Sequence, residues 1–218
     1  KFEIYFIKKI NKFSENYNYQ LNSSHIEGLE ILKIDEVDDL IKKYYNKSIF
    51  LIPLETIFEE IREINWVKNL SITTNLKNKI IIKIEEYKPV GIYIFNQEKY
   101  YFDYSGKIID SVNNTNLINK NFITFSGPSS ILIANSVLDI FNDFNVNNQE
   151  KISSAIYINK RRWNIILSNG LIIKLSEDYP NNSINNYLKL RKKLNNNELN
   201  NIESIDLREF QKAIIELK

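Results

Sequence analysis

Two hydrophobic periods divide the chain. From residue 34 to residue 64, apolar side chains recur every three or four positions. Ile34, Val37, Ile41 and Tyr44 share one face of a predicted helix. Leu54, Ile57, Phe58, Ile61 and Ile64 share one face of a second, which opens at Pro53 in the favoured first-turn position. Residues 48–52 between them are short and apolar and read as extended. On either side the period falls to two. Residues 17–27 alternate loosely up to Gly28 and predict a first strand. Residues 66–74 and 79–87 predict two more, with Ile80, Ile82 and Ile84 on one face and a turn at 75–78. The order is strand, helix, helix, strand, strand, with both helices covering one side of a three-stranded sheet. Before it, residues 1–16 mix Phe2, Ile4, Phe6, Ile7 and Ile10 with Lys8, Lys9 and Lys12, and read as a helical stalk or a frayed terminus.

Past Pro89 the pattern becomes strand-rich. Strands are predicted at 90–95, 99–103 and 107–110, the last two joined by Tyr104-Ser105-Gly106. A polar loop covers 111–121, and a short strand at 122–125 precedes Gly127-Pro128. Ile133, Val137, Leu138 and Phe141 carry a helix over 130–143. Strands at 152–159, 162–168 and 171–175 follow, the last two flanking Asn169-Gly170, a dipeptide suited to a type I′ turn. A helix over 183–194 and strands at 202–207 and 212–217 complete the chain. The fold class is α+β: a stalk or linker at 1–16, a small domain at 17–88, and at 89–218 a β-rich domain with a mostly antiparallel sheet and flanking helices.

Composition removes most chemistry. An apolar share of 43% is enough for real cores. Lys and Arg number 29 against 27 acidic residues, so no nucleic acid partner is expected. Cysteine is absent and His25 is the only histidine, which excludes thiolate chemistry and leaves little for metal sites or histidine relays. Five glycines supply no phosphate-cradling loop, and neither HExxH nor GxSxG occurs. Most of Asp35, Asp38, Asp39, Glu59, Glu60, Glu63, Glu85 and Glu86 fall on predicted solvent faces rather than in a cleft. An enzyme is not expected, nor a cofactor. Trp66 and Trp163 read as core. The clusters Lys160-Arg161-Arg162 and Arg191-Lys192-Lys193 read as solvated and remain candidate patches for acidic partners or lipid headgroups. The abundant Asn, Ile and Lys read as nucleotide bias. No apolar run reaches the ~20 residues of a membrane helix. Methionine is absent, so the chain reads as a piece of a longer one, with any anchor before Lys1.

Several short motifs occur in a meaningful order. They are Ile26-Glu27-Gly28 after strand one, Ile49-Phe50 between the helices, Trp66-Val67, Glu86-Tyr87-Lys88-Pro89-Val90, Asp103-Tyr104-Ser105-Gly106, Trp163 through Gly170, and Ile205-Asp206-Leu207-Arg208. Across residues 17–217 this order resembles the bacterial FtsQ/DivIB family, a POTRA domain followed by a β domain. The chain departs from it at Leu29 (usually Asn), Asn65 (usually Pro) and Ser176-Glu177 (often Gly-Arg).

The resemblance implies a non-catalytic divisome scaffold, single-pass in the cell inner membrane with this part in the periplasm at the septum. Its membrane helix would lie upstream of residue 1. It implies that the β domain binds FtsB-like and FtsL-like proteins by β-strand addition at the terminal strand, and that the POTRA domain meets other septal proteins. By pattern alone the terminal segment reads equally as an ordinary closing strand; the resemblance favours partner capture. The expected partner-binding residues are Arg191, Arg208, Phe210, Lys212, Ala213, Ile214 and Ile215, and Ile214→Pro is expected to abolish capture by removing a ladder donor while leaving the fold intact. The alternative function is a POTRA chaperone module of an outer-membrane assembly or secretion system.

Overall fold

The computed structural model describes residues 2–218 except 116, 118–120 and 210–211. The chain divides into two compact units, 1–87 and 88–218.

The first unit opens with helix α1 (Phe2–Asn16), followed by strand β1 (Ser23–Glu27), helices α2 (Ile34–Lys42) and α3 (Leu54–Arg62), and strands β2 (Val67–Thr74) and β3 (Lys79–Glu86). The sheet order is β1-β3-β2, with β1 parallel and β2 antiparallel to the central β3. The central strand is the most apolar. Ile80, Ile82 and Ile84 are buried on one face, with Val37 and Ile41 of α2 and Ile57 and Ile61 of α3 buried as well. Each such side chain contributes on the order of 1.5–3 kcal/mol by leaving water. Trp66 is core, as its position predicts.

Two local expectations fail. The first strand is only Ser23–Glu27; upstream of it a single bridge joins Gln20 to Ser48. Residues 48–52 are not extended: Ile49–Leu51 form a 3-10 turn. A period of three places Ile49 and Ile52 inward together, both buried, while Phe50 stays exposed. Pro53 precedes α3 as its N-cap.

The second unit is one nine-stranded sheet. Its strands are β4 (Gly91–Phe95), β5 (Glu98–Phe102), β6 (Ile108–Ser111), β7 (Thr124–Ser126), β8 (Ile152–Ile158), β9 (Arg162–Leu167), β10 (Ile172–Leu175), β11 (Ile202–Leu207) and β12 (Ile214–Leu217). They run in the order β12-β11-β10-β9-β8-β7-β4-β5-β6. Five strand pairs are antiparallel and three parallel. Parallel neighbours need a crossover. Helices α4 (Ser130–Ile133) and α5 (Asn135–Asn147) carry the chain from β7 to β8; α6 (Pro180–Arg191) and α7 (Asn196–Asn200) carry it from β10 to β11. One core joins Val137, Leu138 and Phe141 of α5, Ile184 and Tyr187 of α6, and Leu199 of α7 to one face of the sheet. Trp163 lies in that core, its ring meeting Phe125 edge-on at 5.7 Å.

The turns correct the sequence reading. At 168–170 only Gly170 has positive φ, and its N–H donates to Leu167 O while the Leu167 N–H donates to Leu171 O. This is a three-residue turn with a glycine bulge, not type I′. The two successive left-handed residues of a type I′ turn occur at Asn96-Gln97, whose φ angles are 49° and 66°, between paired Phe95 and Glu98, and again at Asn159-Lys160, with φ of 53° at each. Asparagine tolerates that region, so the position was open to prediction; glutamine gave no such sign.

Candidate partner-binding edge

The last strand, β12, ends the sheet. Its inner side pairs antiparallel with β11: Ser204 opposite Glu216, Ile205 opposite Ile215, Asp206 opposite Ile214. Its four residues are all exposed, Ile214 by 61% and Leu217 by 67%. The preceding strand shows why the end stays open. β11 buries Ile202, Ile205 and Leu207 in the core and so completes it, and β12 adds no buried residue to it. A bulge between Ile202 and Ser204 interrupts the pairing.

The direction of the backbone groups follows from one bond. Lys218 N–H donates to Asn201 O at 3.0 Å, towards β11. Backbone groups alternate sides along a strand. Glu216 and Ile214 therefore also face β11, and Ile215 and Leu217 present their N–H and C=O outward. Ile214→Pro would break the internal ladder, so the expectation attached to it is corrected: the residue whose donor faces away from the sheet is Ile215.

The side chains sort by face. Ile215 stands beside buried Ile205, on the helix-covered side, so Ile215 and Leu217 prolong the apolar core face to the rim. On the opposite side, Lys174 Nζ reaches Glu216 Oε2 at 3.3 Å and Ser204 Oγ donates to the same oxygen at 2.8 Å. The Ser204 bond, and then Lys174, hold the Glu216 carboxyl below its ordinary value.

Next to β12 on that face lies a hollow of about 410 Å³, lined by Arg161, Arg162, Ser176, Glu177, Asp178, Asp206, Arg208, Glu209, Lys212 and Ile214. Two ion pairs join four of its charged residues. Arg208 Nε donates to both Asp206 oxygens at 2.8 Å, and Asp206 is depressed below the usual carboxylate value chiefly by that guanidinium. Arg161 Nε meets Glu177 at 2.9 Å, so Glu177 of the departing Ser176-Glu177 pair is tied to the first basic cluster. Arg162 Nε and Asn164 Oδ1 are buried without a hydrogen-bond partner among the described residues.

Of the predicted residues, Arg208, Lys212 and Ile214 line this hollow, and Ala213 and Ile215 are exposed at the strand. Phe210 lies outside the described residues. Arg191 is placed otherwise. It ends α6, where its Nε donates to Glu150 Oε1 at 2.8 Å while Tyr187 OH donates to Glu150 Oε2 at 2.5 Å. Burial, with the Glu150 bond, pushes the Tyr187 phenol well above its ordinary value, so it stays a neutral donor. The sequence reading missed Asp206 and Glu177 as partners of these arginines. Asp206 lies in β11 two residues before Arg208, which directly follows the strand, a spacing that sets both on one face of extended backbone; Glu177 gave no local signal.

Two family models match the chain: "POTRA domain, FtsQ-type" over residues 21–87, and "Cell division protein FtsQ/DivIB, C-terminal" over residues 92–208. The second match stops short of β12. Among curated relatives, the cell division protein FtsQ of Rickettsia bellii is 26% identical over 219 residues, covering 97% of this chain and 78% of the relative. FtsQ of Rickettsia typhi is 27% identical over 224 residues with the same coverage. FtsQ of Vibrio cholerae is 25% identical over 187 residues, covering 84% and 67%. With its strand-helix-helix-strand-strand unit and its β-rich unit each matched in order, the chain belongs to the FtsQ/DivIB family of cell division proteins.

Proposed function

We propose that the chain is a non-catalytic scaffold of the division machinery that captures an extended segment of another division protein along β12. The supporting observation is the outermost strand itself: Ile215 and Leu217 turn their backbone donors and acceptors away from β11. An added strand would satisfy those groups and bury the rim of the core. By family likeness the partners are FtsB-like and FtsL-like proteins, and capturing them helps to assemble the septal peptidoglycan machinery. Arg208, Lys212, Ala213, Ile214 and Ile215 contribute at or beside the strand; Phe210 is carried as part of the same segment. Arg191 acts through α6, holding it against Glu150 rather than touching the strand. The POTRA unit meets other septal proteins. The protein is held at the inner membrane by a helix upstream of residue 1, with this chain in the periplasm.

The test is Ile215→Pro. Proline is tolerated on an edge when the lost N–H faces outward. Capture of an FtsB-like partner should fall at least tenfold, with circular dichroism and melting temperature unchanged. Undiminished capture by a folded Ile215→Pro variant rules out strand addition here. The chaperone reading expects tandem POTRA units, whereas residues 88–218 form a single nine-stranded sheet, so no observation favours it.

A further inference from the structure

Residues 4–7, in the first two turns of α1, are all apolar. Successive helical residues turn by about 100°. Ile4, Tyr5, Phe6 and Ile7 therefore point in four directions, and all four are exposed, the first three by more than half. A docking helix needs one apolar stripe; apolar character all round suits an apolar surrounding medium. Directly after it come Lys8, Lys9 and Lys12, all exposed, with Lys9 Nζ 5.0 Å from the centre of the Tyr5 ring. An apolar turn bearing an aromatic, followed by three lysines on one side of the helix, is the sequence of environments met on leaving a bilayer through its headgroups. Glu3 in the same stretch is a charge suited to a headgroup layer and not to hydrocarbon.

The later turns of α1 are fixed to the first unit. Ser14 is fully buried, its hydroxyl 2.6 Å from that of Ser48, and Phe13 packs on Tyr17 and Tyr19. Tyr19 in turn meets the exposed Phe50 of the 3-10 turn. What touches the start of α1 is thereby connected rigidly to the POTRA unit.

We propose that α1 seats the POTRA unit on an anionic phospholipid surface, with residues 4–7 in the interfacial layer and Lys8, Lys9 and Lys12 on the phosphates. This deepens the membrane-proximal placement proposed above and does not involve β12. The test is co-sedimentation of the whole chain with vesicles of phosphatidylglycerol and phosphatidylethanolamine, against vesicles of phosphatidylcholine alone. The chain should bind the anionic vesicles, less so as salt rises. Lys8→Gln/Lys9→Gln/Lys12→Gln should bind roughly 100-fold more weakly, and Phe6→Ser/Ile7→Ser should lose binding, both with unchanged melting curves. No binding of the parent chain, or binding that both variants retain, overturns the proposal. So does self-association of the parent in ultracentrifugation that Phe6→Ser/Ile7→Ser abolishes without any vesicle binding, since the apolar turns would then serve a second copy. Ile215→Pro should sediment like the parent, so failure of this reading and failure of the β12 reading are distinguishable.

Discussion

Glu86 is the clearest case of a residue whose role appears only when the chain is folded. Its carboxylate is buried and accepts three backbone N–H groups, from Glu30, Ile31 and Leu32, at 3.1, 2.8 and 2.9 Å. It thereby closes the loop after β1. The same loop begins at Gly28, with φ of 93°; a Cβ there would lie 1.9 Å from Ile84 O, so glycine is required. Sequence reading placed Glu86 among solvated carboxylates although alternation along β3 sets it on the face of Ile80, Ile82 and Ile84; what alternation does not reveal is the loop that arrives from 54 to 56 positions away to satisfy it. Glu86→Gln puts an amide donor where an acceptor is needed and should destabilise the first unit by about 2 kcal/mol. Urea unfolding would show it as a lower midpoint; an unchanged midpoint would leave the cap without energetic weight.

At the scale of elements, long periodic segments were legible and their ends were not. The helix predicted over 183–194 begins at Pro180, in the N1 position that proline favours, and α7 was missed altogether. Its signal was present: Asn195 Oδ1 accepts the Glu198 N–H at 2.9 Å and Glu198 Oε2 accepts the Asn195 N–H at 2.8 Å, a capping box. Asn195→Ala should cost about 1 kcal/mol in melting experiments. Asn169-Gly170 has the strongest intrinsic preference for a type I′ turn, yet the loop length set by the β9–β10 register demands three residues. Gln97 carries the strain instead, at φ 66°. Gln97→Gly should raise stability by roughly 0.5–1 kcal/mol, the relief of left-handed strain offset in part by glycine's greater freedom when unfolded. A fall in melting temperature would contradict this.

For the whole molecule, each unit has its own sheet and its own buried core. Residues 88–218 expressed alone should therefore unfold cooperatively by circular dichroism; a gradual, non-cooperative melt would refute this. Acid response should trace to the rim beside β12. Asp206 has a folded pKa below its ordinary 3.8, through Arg208, so its contribution is present above that value and lost as pH falls beneath it. The stability advantage of the parent chain over Asp206→Asn should hold at neutral pH and vanish on acidification below about 4. An advantage that persists there would place its origin in packing.

The α+β class, the order of the first unit and most strands of the second were determined by the sequence itself, because apolar period and turn residues act over a few positions. The isoleucines of β3 and the two helical stripes needed nothing else. Only the tertiary structure decided which backbone groups of β12 face outward and which acids neutralise Arg161, Arg191 and Arg208. Those depend on partners brought together by crossovers, such as Glu150 beside Arg191, 41 positions away. Strand order and long-range ion pairs leave no periodic trace along a chain, since they arise from which surfaces remain to be buried after local structure has formed.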